Sequence, residues 1–285
     1  MKKNNFSIII VNYKSTIKTI SFIKKIPRKY QIIIVDNSND GEIKKKVKFN
    51  LKKIKFLMVK NNGYGSAINE GRKLVKTDFF FAFSPDIKGV NKNFFDKFEN
   101  IINSKLKFGA LGPRFLKVEE KSHKQSDPNY KIGLINAISG AAILINTKAF
   151  DFVGGFDEKI FLYFEENDFC HRLSKKFKIY QINTAKVYHP KGVKKGVIDV
   201  KQEDEDNLKN FYGWHFMWSK FYFFKKNKLF GFSYIYFFPI LIRLMLRILL
   251  NIILNNKQNK KKYLSRLSGL LSSMFGINSY KRINL

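Results

Sequence analysis

Four apolar runs near the N-terminus constrain the fold more than any other feature of the sequence. The runs are FSIIIVN (6–12), QIIIVD (31–36), KIKFLMVK (53–60) and DFFFAFS (78–84). Each is rich in β-branched or aromatic residues, and segments with helical spacing lie between them, as at 15–26 and 66–76. Apolar runs alternating with helices are typical of a parallel sheet covered by helices on both faces. The sequence therefore predicts an α/β fold with a mainly parallel central sheet.

Polar side chains follow each of these predicted strands. They are Asn12, Asp36–Asn37, Asn61–Asn62 and Ser84–Asp86. In open parallel sheets, ligands bind beyond the carboxyl ends of the strands. We therefore expect a binding cleft at this edge of the sheet, with carboxylates in it.

The remainder of the chain changes character twice. Residues 105–150 contain short predicted strands, and another predicted strand covers 178–190, where His189 lies. Beyond this point the sheet pattern ends. We predict one domain over 1–200, with halves 1–105 and 106–200, and a helical extension over 201–285.

The net charge of +32, from 54 basic and 22 acidic residues, indicates an anionic neighbour. Nucleic acid, an acidic membrane surface and a phosphorylated substrate all fit, and AT-biased codon usage explains part of the excess. The single cysteine, Cys170, excludes an internal disulfide and a zinc site built on cysteines. The first apolar run is too short for a signal peptide, so we expect a cytoplasmic protein.

The most apolar window, 229–254, is interrupted by Pro239 and carries Arg243 and Arg247 four residues apart. Charges near a bilayer centre are costly, whereas an apolar helix with basic residues suits the headgroup region. The lysine-rich NNKQNKKKY follows it. This pattern favours a helix lying on an anionic membrane, and a buried helix or a membrane span remain alternatives.

Several polar residues have both a structural and a functional interpretation. Asp36 can bind a nucleobase or ribose, or it can cap its own turn. Asp86 can hold a hard cation together with substrate phosphate, or it can be an ordinary loop residue. His189 can be a metal or phosphate contact, or it can be structural. In NNGYGSAINEG (61–71) the glycines permit close approach of a ligand, but Ile68 occupies the third glycine position of a dinucleotide fingerprint.

The segment FLYFEENDFCHR (161–172) concentrates three acids among aromatic residues. On a helix, Asp168 can pair with Arg172 at i+4. Glu166 has no basic residue three or four positions later. Crowding beside Glu165 and the aromatic neighbours would raise its proton affinity, which suits a general base.

Taken in order, these motifs resemble family 2 glycosyltransferases with the GT-A fold. The similarity covers roughly 6–190 through IIIVNY, IIIVDNSNDG, NNGYGSAINEG, SPDI, SGAAILI, GGFDE, FLYFEENDFCHR and YHP. The nearest subgroup is the bacterial rhamnosyltransferase-like enzymes of surface-polysaccharide assembly. Residues 207–275 resemble the C-terminal extension of that subgroup more loosely.

The resemblance implies specific roles. The nucleotide-sugar donor would be bound by Asn12, Tyr13, Asp36, Asn37, Asn62, Gly63, Asn69 and Asp86, with Asp36 on the nucleobase. Asp86 matches the last acid of the family's Asp-x-Asp motif and, with His189, would hold Mg²⁺ or Mn²⁺; Ser84 replaces the first acid. The catalytic acids would be Glu165, Glu166 and Asp168, with Glu166 as base. Gly155, Phe156 and Asp157 would face the acceptor.

The implied activity is inverting transfer of a sugar from a dTDP- or UDP-sugar to a hydroxyl of a glycan or lipid-linked acceptor. Rhamnose is favoured by the subgroup. The protein would be peripheral on the cytoplasmic face of the membrane, without a nucleic-acid partner. Three alternatives compete: a non-catalytic relative acting as an assembly partner, a basic nucleic-acid-binding protein and a nucleotidyltransferase. The last normally needs a basic glycine-rich loop after the first strand, which VNYKST does not resemble.

Overall fold

The computed structural model describes residues 6–49, 51–116, 125–190, 205–227 and 230–282. The chain forms two compact units. The first comprises Met1–Asp157 and Phe169–Asp199, and the second comprises Glu158–Asp168 and Val200–Leu285. The acidic segment therefore clusters with the C-terminal helices. The domain boundary predicted at residue 200 lies outside the described residues.

The first unit alternates strands and helices as the apolar runs predict. Its elements in chain order are β1 (Phe6–Asn12), α1 (Thr16–Ile23), β2 (Ile32–Asp36), α2 (Glu42–Lys46), β3 (Ile54–Met58), α3 (Tyr64–Arg72), β4 (Phe79–Phe83), α4 (Lys92–Ile102), β5 (Ala110–Phe115), β6 (Ile132–Leu134), β7 (Ala142–Asn146), α5 (Thr147–Phe152) and β8 (Ile179–Val187). Helix α6 (Glu165–Ser174) begins in the second unit and ends in the first.

The described strands form one sheet in the order β3-β2-β1-β4-β7-β5-β8-β6. The first four strands are parallel neighbours, as predicted. Strand β7 runs antiparallel to both β4 and β5, β5 and β8 are parallel, and β6 is antiparallel to β8. The sheet is thus mixed rather than parallel throughout. A run such as AILIN, buried on both faces, gives no sign of its direction, so the sequence could not predict the reversal at β7.

Both faces of the central strands β1, β2 and β4 are buried. Ile8, Ile10 and Phe81 point into one hydrophobic cluster, whereas Ile9 and Phe80 point into another on the opposite face. Alternate residues of a strand face opposite sides, so both sets of side chains are removed from water. Full burial of a side chain of this size contributes about 1.5–3 kcal/mol. These two clusters fix the strand register and with it the position of the strand ends.

Besides the start of α6, the described residues of the second unit form three helices. They are α7 (Glu205–Asn227), α8 (Phe230–Ile253) and α9 (Lys257–Met274). Phe221, Phe237 and Leu270 are fully buried in their shared core. Helices α7 and α9 approach closely at Gly269, where a Cβ would lie 2.2 Å from the carbonyl oxygen of Trp214. Glycine is required there because the backbones leave no room for a side chain.

Helix α8 presents an apolar face to solvent. The residues Gly231–Ile253 are long and apolar enough to cross a membrane by length and composition, and only 22% of their most apolar window is buried in the protein. Ile235, Leu246 and Ile253 are 73%, 60% and 81% exposed. The low burial argues against the buried soluble helix that the sequence left open.

Candidate functional site

The first part of the candidate site lies where β1 and β2 end side by side. Asn12 and Asp36 are partners in the parallel register, and Asn12 Nδ2 donates to Asp36 Oδ1 over 2.9 Å. The backbone N–H of Ser38 donates to the same oxygen over 3.1 Å, which closes the predicted Asx-turn. Asp36 Oδ2 is buried and has no hydrogen-bond partner among the described residues. Asp36 therefore closes the Asx-turn with one carboxylate oxygen and keeps the other available as an acceptor.

Two hydroxyls orient Asn12. Its side-chain oxygen accepts hydrogen bonds from Ser15 Oγ over 3.1 Å and from Thr19 Oγ1 over 2.9 Å. These bonds identify the oxygen of the Asn12 amide and direct its nitrogen to Asp36. Ser15 and Thr19 are positioning residues that the sequence analysis did not single out.

Asn37 extends this edge toward α3. Its Nδ2 donates to Asn61 Oδ1 and to the carbonyl oxygen of Gly63, both over 3.3 Å. Gly63 caps α3 with φ of 109°, a conformation that favours glycine. Asn37 Oδ1 is buried without a hydrogen-bond partner in the part of the chain that the structure describes. Asp36 and Asn37 therefore both offer a buried oxygen that a ligand donor could satisfy.

The second part of the site follows β4. Asp86 is buried, and its Oδ1 accepts a hydrogen bond of 2.6 Å from Ser84 Oγ. Nε2 of His189 lies 3.3 Å from the same oxygen. Reciprocal backbone hydrogen bonds between Lys88 and Tyr188 hold the two segments together. The two residues predicted to bind a metal are therefore adjacent, although they are about one hundred positions apart.

This pair fits a hard divalent cation in part. Asp86 Oδ2 is buried and lacks a hydrogen-bond partner among the described residues, which leaves one carboxylate oxygen available. Carboxylate oxygen and imidazole nitrogen both coordinate Mn²⁺, and Mg²⁺ is usually held by one or two carboxylates with substrate phosphates. No group of three or more potential metal-binding side chains occurs within the described ranges. Asp86 and His189 would hold such a cation only if the substrate completed its coordination.

Asn69, which was predicted to bind the donor, holds the backbone of Phe156. Its Nδ2 donates to the Phe156 carbonyl over 3.0 Å, and its Oδ1 accepts from the Phe156 amide over 2.9 Å. Gly155 has φ of +68°, and a Cβ there would lie 2.7 Å from Asn69 Oδ1. Asn69 is therefore a positioning residue for the GGFDE loop, and direct contact with a donor stays a prediction.

The loop itself is fixed from the other side by Arg172. This side chain donates to the carbonyl oxygens of Val153 and Gly155. Phe156 is buried and packs against Phe169, with ring centroids 4.8 Å apart. Asp157 is half-exposed, and contact of Gly155, Phe156 and Asp157 with an acceptor stays a prediction.

The acidic segment starts from an unusual backbone. Tyr163 and Phe164 have φ of 66° and 67°, so two consecutive non-glycine residues adopt the left-handed region. Such conformations cost about 1–3 kcal/mol each and often occur at functional sites. Helix α7 stabilises them: Ser219 Oγ donates to the Leu162 carbonyl over 2.8 Å, and Phe216 packs against both aromatic rings.

The three acids Glu165, Glu166 and Asp168 differ in how far they are buried. Glu165 is buried, and this burial, followed by the nearby charge of Glu166, raises the pKa of Glu165 well above its usual range. Glu165 Oε2 has no hydrogen-bond partner among the residues described. Glu166 is half-exposed to solvent. The burial that the sequence predicted for Glu166 is found at Glu165.

Asp168 is fully buried and bonded to α7. Its Oδ1 lies 2.8 Å from Lys226 Nζ and accepts a hydrogen bond of 3.1 Å from Asn227 Nδ2. These contacts give Asp168 a structural role that sequence spacing could not reveal, because Lys226 is distant along the chain. The pairing with Arg172 expected from helical spacing stays a prediction. Tyr13 is half-exposed and Asn62 is exposed, and their direct contacts with a nucleotide-sugar donor also stay predictions.

No protein-family model matches the sequence. A curated protein, the low-salt glycan biosynthesis hexosyltransferase Agl10 of Haloferax volcanii, is 25% identical over 192 residues. The match covers 59% of this chain and 61% of that relative, so the chain spans less than two thirds of the relative's length.

Two solved structures are similar over most of the chain. Mannosyltransferase PcManGT from Pyrobaculum calidifontis, in complex with GDP-Man and Mn²⁺, has a TM-score of 0.61 at 9% identity, covering 95% of this chain and 87% of that one. S. aureus TarS 1–349, in complex with UDP-GlcNAc, has a TM-score of 0.57 at 16% identity, covering 96% and 92%. At these identities the likeness shows the fold. The chain has the GT-A fold, with a C-terminal apolar helix.

Proposed function

We propose that this protein is a glycosyltransferase that moves a sugar from a nucleotide-diphosphate donor to a hydroxyl group of an acceptor. The observation that carries the proposal is the pair of buried aspartates, Asp36 at the end of β2 and Asp86 just after β4, two parallel strands that lie on either side of β1. Each keeps one buried oxygen without a hydrogen-bond partner among the described residues. A nucleotide can supply hydrogen-bond donors to such oxygens, and a cation can supply the positive charge that balances them. The names of the hexosyltransferase relative and of the sugar-nucleotide-bound structures point the same way.

Two groups of residues would bind opposite ends of the donor, one the nucleoside and the other the diphosphate. Asp36 Oδ2 and Asn37 Oδ1 would accept hydrogen bonds from the nucleobase or ribose, with Asn12 holding the Asp36 carboxylate. Asp86 and His189 would hold Mg²⁺ or Mn²⁺ at the diphosphate. A bound cation stabilises the negative charge of a departing phosphate. Ser84, in place of an acid, orients Asp86 through its hydrogen bond of 2.6 Å.

Glu166 is proposed as the base that accepts the proton of the acceptor hydroxyl. It is the half-exposed member of the acidic pair, and a base must reach its substrate. The strained turn at Tyr163–Phe164 and the anchoring of Asp168 fix the start of the helix that carries it. A general base implies direct attack of the hydroxyl and hence inversion at the anomeric carbon. The order of the motifs supports membership of family 2. It also supports a dTDP- or UDP-rhamnose donor and a glycan or lipid-linked acceptor in the synthesis of cell-surface polysaccharide.

The test is a donor screen. Purified protein would be incubated with Mn²⁺ or Mg²⁺ and a panel of UDP-, dTDP- and GDP-sugars, and the released nucleoside diphosphate would be measured. Release that depends on one sugar nucleotide supports the proposal. Absence of release together with absence of donor binding would favour the nucleic-acid-binding alternative. Donor binding without release with any acceptor would favour the non-catalytic partner, for which the Ser84 replacement is the supporting observation.

We also propose that α8 lies on the cytoplasmic face of an anionic membrane. Its exposed side chains recur every three or four residues along one side: Phe232, Ile235, Phe238, Ile242, Leu246, Leu249 and Ile253. The opposite side packs on α7 and α9, and α9 carries Lys260, Lys261 and Lys262. A span would require these charged helices to enter the bilayer, so an interfacial position costs less.

Vesicle flotation tests this placement. Leu246→Gln should weaken binding to phosphatidylglycerol vesicles because it removes apolar surface from the face. Leu134→Gln is the matched control, since Leu134 on β6 is 61% exposed and Leu246 is 60% exposed. Equal binding of both variants and wild type would refute the interfacial role of α8.

A further inference from the structure

A cavity of about 460 Å³ lies within the second unit, between α7, α9 and the C-terminal residues. Three cationic side chains line it: Lys261, Lys281 and Arg282. No aspartate or glutamate of the described part of the chain is among its lining residues. A concave surface lined by one sign of charge concentrates ions of the opposite sign. The cavity therefore has the electrostatics of an anion site.

The two C-terminal cations are held in place. The guanidinium carbon of Arg282 lies 4.0 Å above the ring centroid of Phe161, and Nη1 donates to the carbonyl oxygens of Ser279 and Lys281. Lys281 Nζ donates to Ser265 Oγ over 3.4 Å. Stacking and backbone hydrogen bonds reduce the conformational entropy that a ligand would otherwise have to restrict.

No carboxylate of the residues that the structure describes forms an ion pair with Lys281 or Arg282. Partial burial lowers the pKa of both the Lys281 ammonium and the Arg282 guanidinium, although Lys281 is half-exposed and Arg282 is exposed. The acids at the start of α7, Glu205 and Asp206, pair with Lys209 instead. A bound anion would supply the missing counter-charge.

Neutral donors complete the lining. Asn207, Asn210 and Ser268 also line the cavity, and their side chains carry amide and hydroxyl groups. Ser268 Oγ accepts a hydrogen bond of 3.1 Å from Trp214 Nε1, which leaves its own hydrogen for an acceptor. Multiple N–H and O–H donors beside several cations suit the oxygens of a phosphoryl group. The volume exceeds that of a single phosphate and falls in the lower range of small-molecule sites.

We propose that this cavity binds a phosphate monoester or a diphosphate group, carried by a lipid headgroup or by a soluble molecule. The proposal does not rest on sugar transfer, because it uses residues of the second unit alone.

Pyrophosphate is the probe for the first arm of the test. Binding to the full-length chain would be followed by calorimetry in EDTA, with Asp86→Asn as background to remove the metal-dependent site. Trp214 fluorescence provides a second readout through its bond to Ser268. We expect Lys281→Gln and Arg282→Gln to weaken binding at least about tenfold each, because each removes a charge-assisted hydrogen bond. Lys257→Gln, which removes one exposed charge of α9 outside the cavity, should change it less than about twofold.

Charge-retaining variants serve as controls for loss of binding caused by misfolding. Lys281→Arg and Arg282→Lys should keep most of the affinity, and circular dichroism should show unchanged helix content in all variants. No pyrophosphate binding by the wild type, or equal weakening by Lys257→Gln, would overturn the proposal.

The second arm separates the two sources of phosphate. Flotation would compare vesicles containing phosphatidic acid, a phosphomonoester lipid, with phosphatidylglycerol vesicles of matched charge. A preference for phosphatidic acid that Arg282→Gln abolishes assigns the site to a lipid headgroup. Pyrophosphate binding without such a preference assigns it to a soluble phosphorylated ligand.

Discussion

Nε2 of His189 lies 3.3 Å from Oδ1 of Asp86, although the two residues follow different strands of the sheet. Asp86 follows β4, and His189 follows β8 after the Lys88–Tyr188 bridge. The second carboxylate oxygen of Asp86 is buried and has no hydrogen-bond partner among the residues that the structure describes. An isolated buried carboxylate oxygen is costly, so its retention beside an imidazole is best explained by a ligand.

Substitution of Asp86 should abolish metal-dependent donor binding. Asp86→Asn removes the charge that would hold the cation, so the gain in donor affinity on adding Mn²⁺ should disappear. Ser84→Ala should weaken this gain about 10–100-fold, since it removes only the hydrogen bond that orients the carboxylate. Calorimetric titration of the preferred donor with and without Mn²⁺ measures both effects. Equal Mn²⁺ dependence in wild type and Asp86→Asn would refute the metal site.

The two adjacent glycines of the GGFDE loop should respond differently to alanine. Both have positive φ, and such a conformation costs alanine about 1–2 kcal/mol. A Cβ at Gly154 would meet nothing within 4 Å, whereas one at Gly155 would lie 2.7 Å from Asn69 Oδ1. We expect Gly155→Ala to destabilise the protein more than Gly154→Ala by at least about 1 kcal/mol, measured by urea unfolding. Equal losses would show that Asn69 moves aside without cost.

Glu165 should make stability fall as pH rises. Its folded-state pKa is raised by burial, so the folded protein binds a proton that the unfolded chain has already released. The stabilisation is complete below the unfolded pKa of glutamate and is lost as pH increases toward the folded pKa. Glu165→Gln cannot ionise and should therefore be more stable than wild type at pH 8 but not at pH 4. Parallel stability curves for the two proteins across this range would contradict the burial of a protonated carboxyl.

His215 should have the opposite pH dependence. Its ring is stacked on Phe161, its Nε2 donates to the Lys281 carbonyl, and burial lowers its pKa to about 4. In the unfolded chain the imidazole binds a proton near pH 6.5, whereas in the folded protein it stays neutral until about pH 4. The free energy of unfolding should therefore fall by up to about 3 kcal/mol from pH 7 to pH 4. His215→Gln, which retains hydrogen-bonding capacity, should lack this component. An unchanged slope in the variant would assign the acid sensitivity to other groups.

The strands and their polar ends were predictable because buried parallel strands are continuous apolar runs. Asn12, Asp36 and Asp86 were identified from their position after those runs, and the structure brings Asn12 to Asp36 and His189 to Asp86. The antiparallel direction of β7 could not be predicted, since a strand buried on both faces has no directional pattern. Sequence spacing also missed the partners that come from distant elements, such as Lys226 for Asp168.

The roles of Asn69 and Glu165 were obscured for a related reason. Asn69 is a half-exposed polar residue near a glycine motif, which suggests ligand binding, but its amide holds the backbone of Phe156. Buried Glu165 and half-exposed Glu166 directly follow the left-handed turn at Tyr163 and Phe164. No periodicity argument predicts that conformation, because neither residue is glycine or asparagine.

The central claim, that donor and base act together in sugar transfer, is tested most directly by nucleoside diphosphate release from wild type and Glu166→Gln at saturating donor and acceptor. The account predicts that Glu166→Gln loses turnover about 10²–10⁴-fold while its donor affinity stays within about twofold of wild type. Wild-type turnover by Glu166→Gln, or no release by the wild type with any sugar nucleotide, would contradict it.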